Sequence, residues 1–90
     1  MSATLVVRHT VADYASWRAV YDELEPLRKE HGCTAQQVMH LPDNAKDLQI
    51  THDFPTQEQA AAFAGDPGLK EGMQRAGVTG PPQVEVFTVV

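Results

Sequence analysis

The sequence predicts an α+β domain in which four antiparallel strands form one sheet and two helices cover one face of it. Three observations carry this reading. Residues 3–9, 34–41, 48–54 and 84–90 are short apolar, β-branched or period-two segments. Apolar residues at spacings of three and four follow the first and third of these segments, as amphipathic helices require. Proline, glycine and capping residues stand at the boundaries between them.

The first segment, ATLVVRH, is a β-branched strand. Asp13 is placed to cap a helix whose apolar face is Tyr14, Trp17, Val20, Tyr21, Leu24 and Leu27. Arg18/Asp22 and Glu25/Lys29 lie four apart on the opposite face and can pair. Pro26 removes an amide donor and its ring clashes with the carbonyl of Asp22, so the helix kinks or breaks there. Gly32 ends it after His31.

Residues 34–41, TAQQVMHL, form the second strand, and PDNAK at 42–46 supplies the turn of a hairpin. Leu48, Ile50, His52 and Phe54 alternate with Gln49, Thr51 and Asp53, which is a strand with one apolar face. Thr56 and Gln59 make a capping box that opens a helix containing Ala60, Phe63 and Ala64. Asp66-Pro67 starts a second short segment with Leu69, Met73 and Ala76, closed by Gly77. Gly80-Pro81-Pro82 breaks the chain before the last strand, VEVFTVV. Right-handed crossovers and short hairpins turn this order into the ferredoxin-like βαββαβ arrangement, in which the first and third strands are neighbours.

Ninety residues make one domain, 1–90, with a small core. Apolar residues are 42% of the chain, enough for a folded globule. Seven Lys and Arg against twelve Asp and Glu leave a net charge of -5, which opposes nucleic acid as a partner. One cysteine, Cys33, cannot form an internal disulfide and fits a reducing compartment. No apolar run is long enough to span a membrane, and MSATLVVRH lacks the charged start and long apolar stretch of a signal peptide. A cytoplasmic protein without a membrane partner is expected.

Two helices cover only one face of such a sheet, yet the strands carry apolar residues on both: Leu5 and Val7 on one side of the first strand and Val6 on the other, Val84 and Val86 on one side of the last and Phe87 and Val89 on the other. An apolar open face asks for a second layer, and a second copy of the chain is the simplest source. A homodimer is the expectation.

The stretches VRHTVADYASWRAVYDELEPLRKEHG and DFPTQEQAAAFAGDPGLKEGMQRAGV resemble the first strand and helix, and the third-strand end and second helix, of the small dimeric α/β-barrel proteins. That superfamily includes antibiotic-biosynthesis monooxygenases, haem-degrading monooxygenases, polyketide cyclases and muconolactone isomerases. The resemblance implies two sheets paired into a barrel and a ligand cavity beside or between them. It also places Phe54 where monooxygenase-like relatives usually carry a cavity-lining tryptophan. The stretch AAAFAG lacks the histidine of the haem-degrading relatives, which opposes haem ligation, and no other cofactor is implied.

Strand parity puts His9 and His52 on the face of Leu5, Val7, Leu48, Ile50 and Phe54, with His9 opposite Leu48 and His52 opposite Leu5. Two imidazoles on an apolar face can form a pocket with acid–base capacity, because histidine titrates near neutral pH. The alternative is that each is a packed histidine satisfied by one hydrogen bond. Arg8 is expected in an ion pair with Asp53 or Glu85, or on an anionic ligand. Tyr14, Trp17 and Tyr21 are a core stripe whose polar groups could line a cavity. His31 and His40 are expected at the surface or at strand ends, and Cys33 as a buried inert thiol. The four histidines are too scattered for a helical metal-ligand pair. No GxGxxG, P-loop or CxxC motif is present.

With the resemblance, the function these residues suggest is a cofactor-independent enzyme, monooxygenase-like or cyclase/isomerase-like, acting on a small apolar aromatic or polyketide-like molecule. His9 would be its acid or base, assisted by His52. Phe54, Arg8, Tyr14 and Trp17 would contact the substrate. A non-catalytic small-molecule-binding or assembly protein of the same fold is the competing reading.

Overall fold

A computed structural model describes residues 1–90. The order of elements is β1 (Ala3–Val11), α1 (Tyr14–Glu23), α2 (Glu25–Glu30), β2 (Ala35–Leu41), β3 (Asn44–Phe54), α3 (Gln57–Ala64), α4 (Pro67–Arg75) and β4 (Val78–Thr88). The four strands make one sheet in the order β2-β3-β1-β4, all neighbours antiparallel, with the helices on one face. This is the ferredoxin-like α+β fold.

The helical stretch that carries Pro26 breaks into α1 and α2, and Asp66-Pro67 starts α4 separately from α3, as expected. Asp13 accepts a hydrogen bond from the Ser16 amide at 2.9 Å and opens α1. The helix stops at Leu24, and Pro26 falls in the first turn of α2, where its missing N–H is no loss. Thr56 caps α3 by accepting from the Gln59 amide at 3.2 Å. The Thr56 hydroxyl also lies 3.1 Å from the Gln59 side-chain oxygen. Asp66 then caps α4 through the Gly68 amide at 2.7 Å, with Pro67 at the first helical position.

Two boundaries differ from expectation. The hairpin turn is tighter than PDNAK: Leu41 already pairs with Asn44, so Asn44–Lys46 belong to β3. Gly80-Pro81-Pro82 does not break the chain before β4. The strand starts at Val78 and runs to Thr88, and the prolines are absorbed in a bulge. Arg8 pairs with Gln83 and Thr10 with Thr79, so the extra residues of β4 bulge opposite His9. Gly80 adopts φ 76°, a left-handed conformation that admits glycine cheaply. Prolines donate nothing to a ladder, and a bulge is one of the few places a sheet tolerates them.

Leu5 and Val7 of β1, Leu48, Ile50 and Phe54 of β3, Trp17 and Tyr21 of α1, and Ala60 and Phe63 of α3 form the core between sheet and helices. Full burial of each large apolar side chain stabilises the fold by about 1.5–3 kcal/mol. Although α3 and α4 reach β4, Val84 and Val86, which point to the helix side opposite Val7 and Leu5, remain 40% and 36% exposed.

The open face is more polar than the strand pattern implied. Val6, Met39 and Phe87 lie among Thr4, Arg8, Gln37, Gln49, Thr51, Asp53 and Glu85, because every outward residue of β3 paired to β1 is polar. Phe87 is nevertheless 52% exposed. No helix is long and apolar enough to cross a membrane.

Candidate functional site

The period-two alternation of β1 and β3 sends every second side chain toward the helices. That parity carries His9 and His52 off the polar face and into a cleft between the sheet and α1, α2, α3 and α4. Trp17, Tyr21, Leu24, Arg28, Phe63 and Met73 complete most of its wall, and Val84 of β4 edges its mouth. The cleft holds about 570 Å³ of empty space when the open solvent at its mouth is included. The walls are mainly apolar, with a few polar groups turned inward, which is the composition of a small-molecule site.

His9 sits opposite Leu48 on β1, as its parity requires. It is 7% exposed, and neither ring nitrogen has a hydrogen-bond partner in the protein. The edge-on ring of Trp17 lies 5.8 Å away and fixes the imidazole's position without satisfying it. Burial lowers the pKa of His9 below the usual histidine value. The ring is therefore neutral at pH 7, with one N–H to give and one lone pair to receive.

His52 is buried deeper on β3. Its Nε2 lies 3.3 Å from the Tyr21 hydroxyl, while Nδ1 has no partner. Desolvation, reinforced by the Arg28 charge, pushes its pKa down to about 4, with Asp53 pulling weakly the other way. Tyr21 is held in the phenol form, since burial raises its pKa. The rings form a chain: His9 against Trp17, Trp17 stacked on Tyr21 at 4.9 Å, and Tyr21 beside His52 at 6.1 Å. His9 and His52 lie on one wall but are not ring partners.

Arg28, only 2% exposed, was not singled out by the sequence reading. Its Nε donates to Gln36 Oε1 and its Nη1 to the Tyr21 carbonyl, each at 2.8 Å, and its guanidinium lies 3.9 Å from the Tyr21 ring centroid. A signal for it was present: positions 17, 21, 24 and 28 continue the buried helical spacing across Pro26. Phe63, read only as a core residue, also lines the cleft.

The other candidates are distributed differently. Phe54 is buried behind the cleft, packed on Phe63 with ring centroids 5.6 Å apart, so it backs the wall instead of facing the space. Trp17 lines the cleft. Tyr14 does not; it leans on Trp17 and on His40 outside it. Arg8 points to the open face and pairs with Asp47 at 2.7 Å, not with Asp53 or Glu85, because Asp47 stands two residues along β3 from Arg8's cross-strand partner Gln49. His31 is not a free surface residue: its Nε2 is 2.8 Å from Asp66, and it packs on Phe63. His40 is exposed, and its Nδ1 contacts the Leu41 carbonyl. Cys33 is half-buried, donates to the Ala35 carbonyl, and has its pKa raised by burial. No three His, Cys, Asp or Glu side chains converge on a common point.

A neutral buried imidazole with free nitrogens, held in an apolar cleft with a guanidinium nearby, can move a proton on a bound organic molecule and stabilise negative charge on it. No protein-family model matches the sequence, and no curated protein matches it significantly. Solved structures do. SnoaB, a cofactor-independent oxygenase from Streptomyces nogalater, superposes with a TM-score of 0.81 at 16% identity, covering 99% of this chain and 93% of that one. A Bordetella bronchiseptica protein assigned to the antibiotic biosynthesis monooxygenases superposes with a TM-score of 0.81 at 17% identity, over 99% and 97% of the two chains. One from Caulobacter crescentus, assigned likewise, gives 0.78 at 17% identity over 99% and 90%. The chain therefore has the ferredoxin-like fold of the antibiotic-biosynthesis-monooxygenase-like proteins.

Proposed function

We propose that this protein is a cofactor-independent enzyme that removes a proton from a small, largely apolar cyclic molecule bound in the cleft. The observation that carries the reading is His9, a residue of the cleft lining whose two ring nitrogens are buried and unpartnered. An unmet buried polar atom costs about 1–3 kcal/mol, so the position is expensive unless a ligand or water completes it. As a neutral base, His9 takes a proton from an acidic C–H or O–H, and the electron pair stays on the substrate as an enolate or phenolate. This step is common to isomerisation, cyclisation and oxygenation of such molecules. SnoaB's description as a cofactor-independent oxygenase supports oxygenation among these outcomes.

His9 is preferred over His52 as the base. Efficient proton transfer wants a pKa near the working pH, and His52, at about 4, is far below it. His52 assists by holding Tyr21, Trp17 packs against the bound ring, and Phe54 supports the wall through Phe63.

The direct test needs no knowledge of the physiological substrate. Exchange of the C1 hydrogens of 2-tetralone for deuterium in D₂O, followed by proton NMR, reads proton abstraction alone. The native protein accelerates exchange over buffer, and His9→Ala, folded by circular dichroism, loses at least about tenfold of that acceleration. Equal exchange by the native protein and His9→Ala defeats the reading and favours a non-catalytic binding protein.

The protein is also proposed to work as a homodimer, with the open sheet face against a second copy. Phe87 on that face and Val89 just past β4 are exposed in the single chain.

A further inference from the structure

Arg28 carries a guanidinium into the protein interior, and no carboxylate lies within ion-pair distance of it. A buried guanidinium ordinarily has a carboxylate beside it, because an uncompensated charge in a low-dielectric interior is strongly unfavourable. Here the two hydrogen-bond acceptors are neutral oxygens, from Gln36 and from the Tyr21 backbone. Its charge acts on Tyr21, His52 and Cys33, and the Asp53 carboxylate acts on the last two from the other face of the sheet. At pH 7 Tyr21 is a phenol, Cys33 a thiol and His52 a neutral imidazole, so none is an anion. The lining of the cleft contains no Asp or Glu.

The whole chain is acidic, at -5, so long-range attraction would not draw anions to it. Selectivity must come from within the cleft. There a planar fork of donors meets an apolar wall of Trp17, Tyr21 and Phe63, with His52 on the same lining.

We propose that the cleft binds a small organic acid, an apolar ring bearing one carboxylate, enolate or phenolate group, with the anionic oxygens on Arg28 and the ring against Trp17 and Phe63. The inference rests on the reading of the cleft as a ligand site and names the charge of what enters it. It assigns Arg28 as the anchor of that charge, while His9 remains the group placed to move a proton.

Trp17 is the chain's one tryptophan and lines the cleft, so its fluorescence reports occupancy. The experiment titrates benzoate and its neutral isostere benzamide into the native protein at pH 7. Saturable quenching by benzoate at least about tenfold tighter than by benzamide is expected, the discrimination of a charge-assisted hydrogen bond. In Arg28→Met, the preference falls below about twofold. If that variant does not fold, the ¹⁵N resonance of Arg28 Nε in the native protein replaces it. Its displacement by benzoate and not by benzamide supports the assignment, and an unmoved resonance overturns it. Equal binding of the two compounds, or a preference that survives in folded Arg28→Met, overturns the anion anchor and leaves the cleft as a ligand site. Failure of both compounds to bind overturns the ligand-site reading as well.

Discussion

The hydroxyl of Tyr21 lies 3.3 Å from Nε2 of His52, and this is the only polar contact the His52 ring makes in the protein. The pair joins α1 to β3 across the floor of the cleft. It also ties ionisation to folding, because a protonated His52 would place a second positive charge beside Arg28 in an apolar interior.

The stability of the protein should therefore depend on acid in a defined window. His52 has a folded pKa of about 4, and in the unfolded chain it returns to the ordinary value near 6.5. Between those values the unfolded state binds the extra proton, so stability rises with pH through the window and is lost as pH falls from about 6.5 toward 4. The loss from this residue reaches about 3 kcal/mol at the low end. His9, shifted in the same direction by burial, adds to it. Urea midpoints measured from pH 7 to pH 4.5 should fall steadily, and His52→Phe should flatten the dependence. Parallel slopes for the two proteins would show that His52 is not the group responsible.

Tyr21→Phe isolates the hydroxyl. The ring keeps its stack on Trp17 and its place under Arg28, but His52 is left with two unpartnered nitrogens instead of one. The variant should lose about 1–2 kcal/mol in chemical denaturation at pH 7. A loss much smaller than this means that the 3.3 Å contact contributes little.

Most of this architecture was legible from local chemistry, because each element carried its own boundary. Asp13, Thr56 and Asp66 cap the helices they were expected to cap, and Leu48, Ile50, His52 and Phe54 keep a strict period of two. Strand parity alone placed His9 and His52 on one face with the correct partners. What escaped depended on contacts between elements. Arg8 could not be matched to Asp47 without knowing which way two half-buried side chains lean across a sheet. Arg28 follows Pro26 on a helix expected to kink or break, and an arginine on a buried stripe is the residue type burial disfavours most. The proline pair resembled an interruption because a bulge forms only when a neighbouring strand is present to define it.

The bulge makes Gly80 a sensitive position. Its φ of 76° is unfavourable for any residue with a Cβ, although nothing lies within 4 Å of where that atom would be. Gly80→Ala should then cost about 1–2 kcal/mol from backbone conformation alone. Gly80→Asn should cost less, since asparagine tolerates the left-handed region. Because the bulge stands opposite His9, the alanine variant should also shift the His9 ring resonances in proton NMR. If Ala and Asn are equally tolerated, the bulge has relaxed to another conformation.

The proposed dimer is tested at Phe87. That side chain is 52% exposed on the open face, with Val6 on the strand beside it and Thr4, Asp53 and Glu85 around it. A ring left in water on a sheet of this kind gains by meeting its own copy across a two-fold axis, where each protomer offers the same patch to the other. The polar neighbours lower the apolar area available, so the association should rest on few residues, and one well-placed charge should undo it. Sedimentation equilibrium at low micromolar concentration should give twice the 9.9 kDa chain mass for the native protein. Phe87→Glu should give the single-chain mass with its circular dichroism spectrum unchanged, since the ring is not part of the core between sheet and helices. A native protein sedimenting at 9.9 kDa would end the dimer proposal, and the cleft, which is built from one chain, would be unaffected.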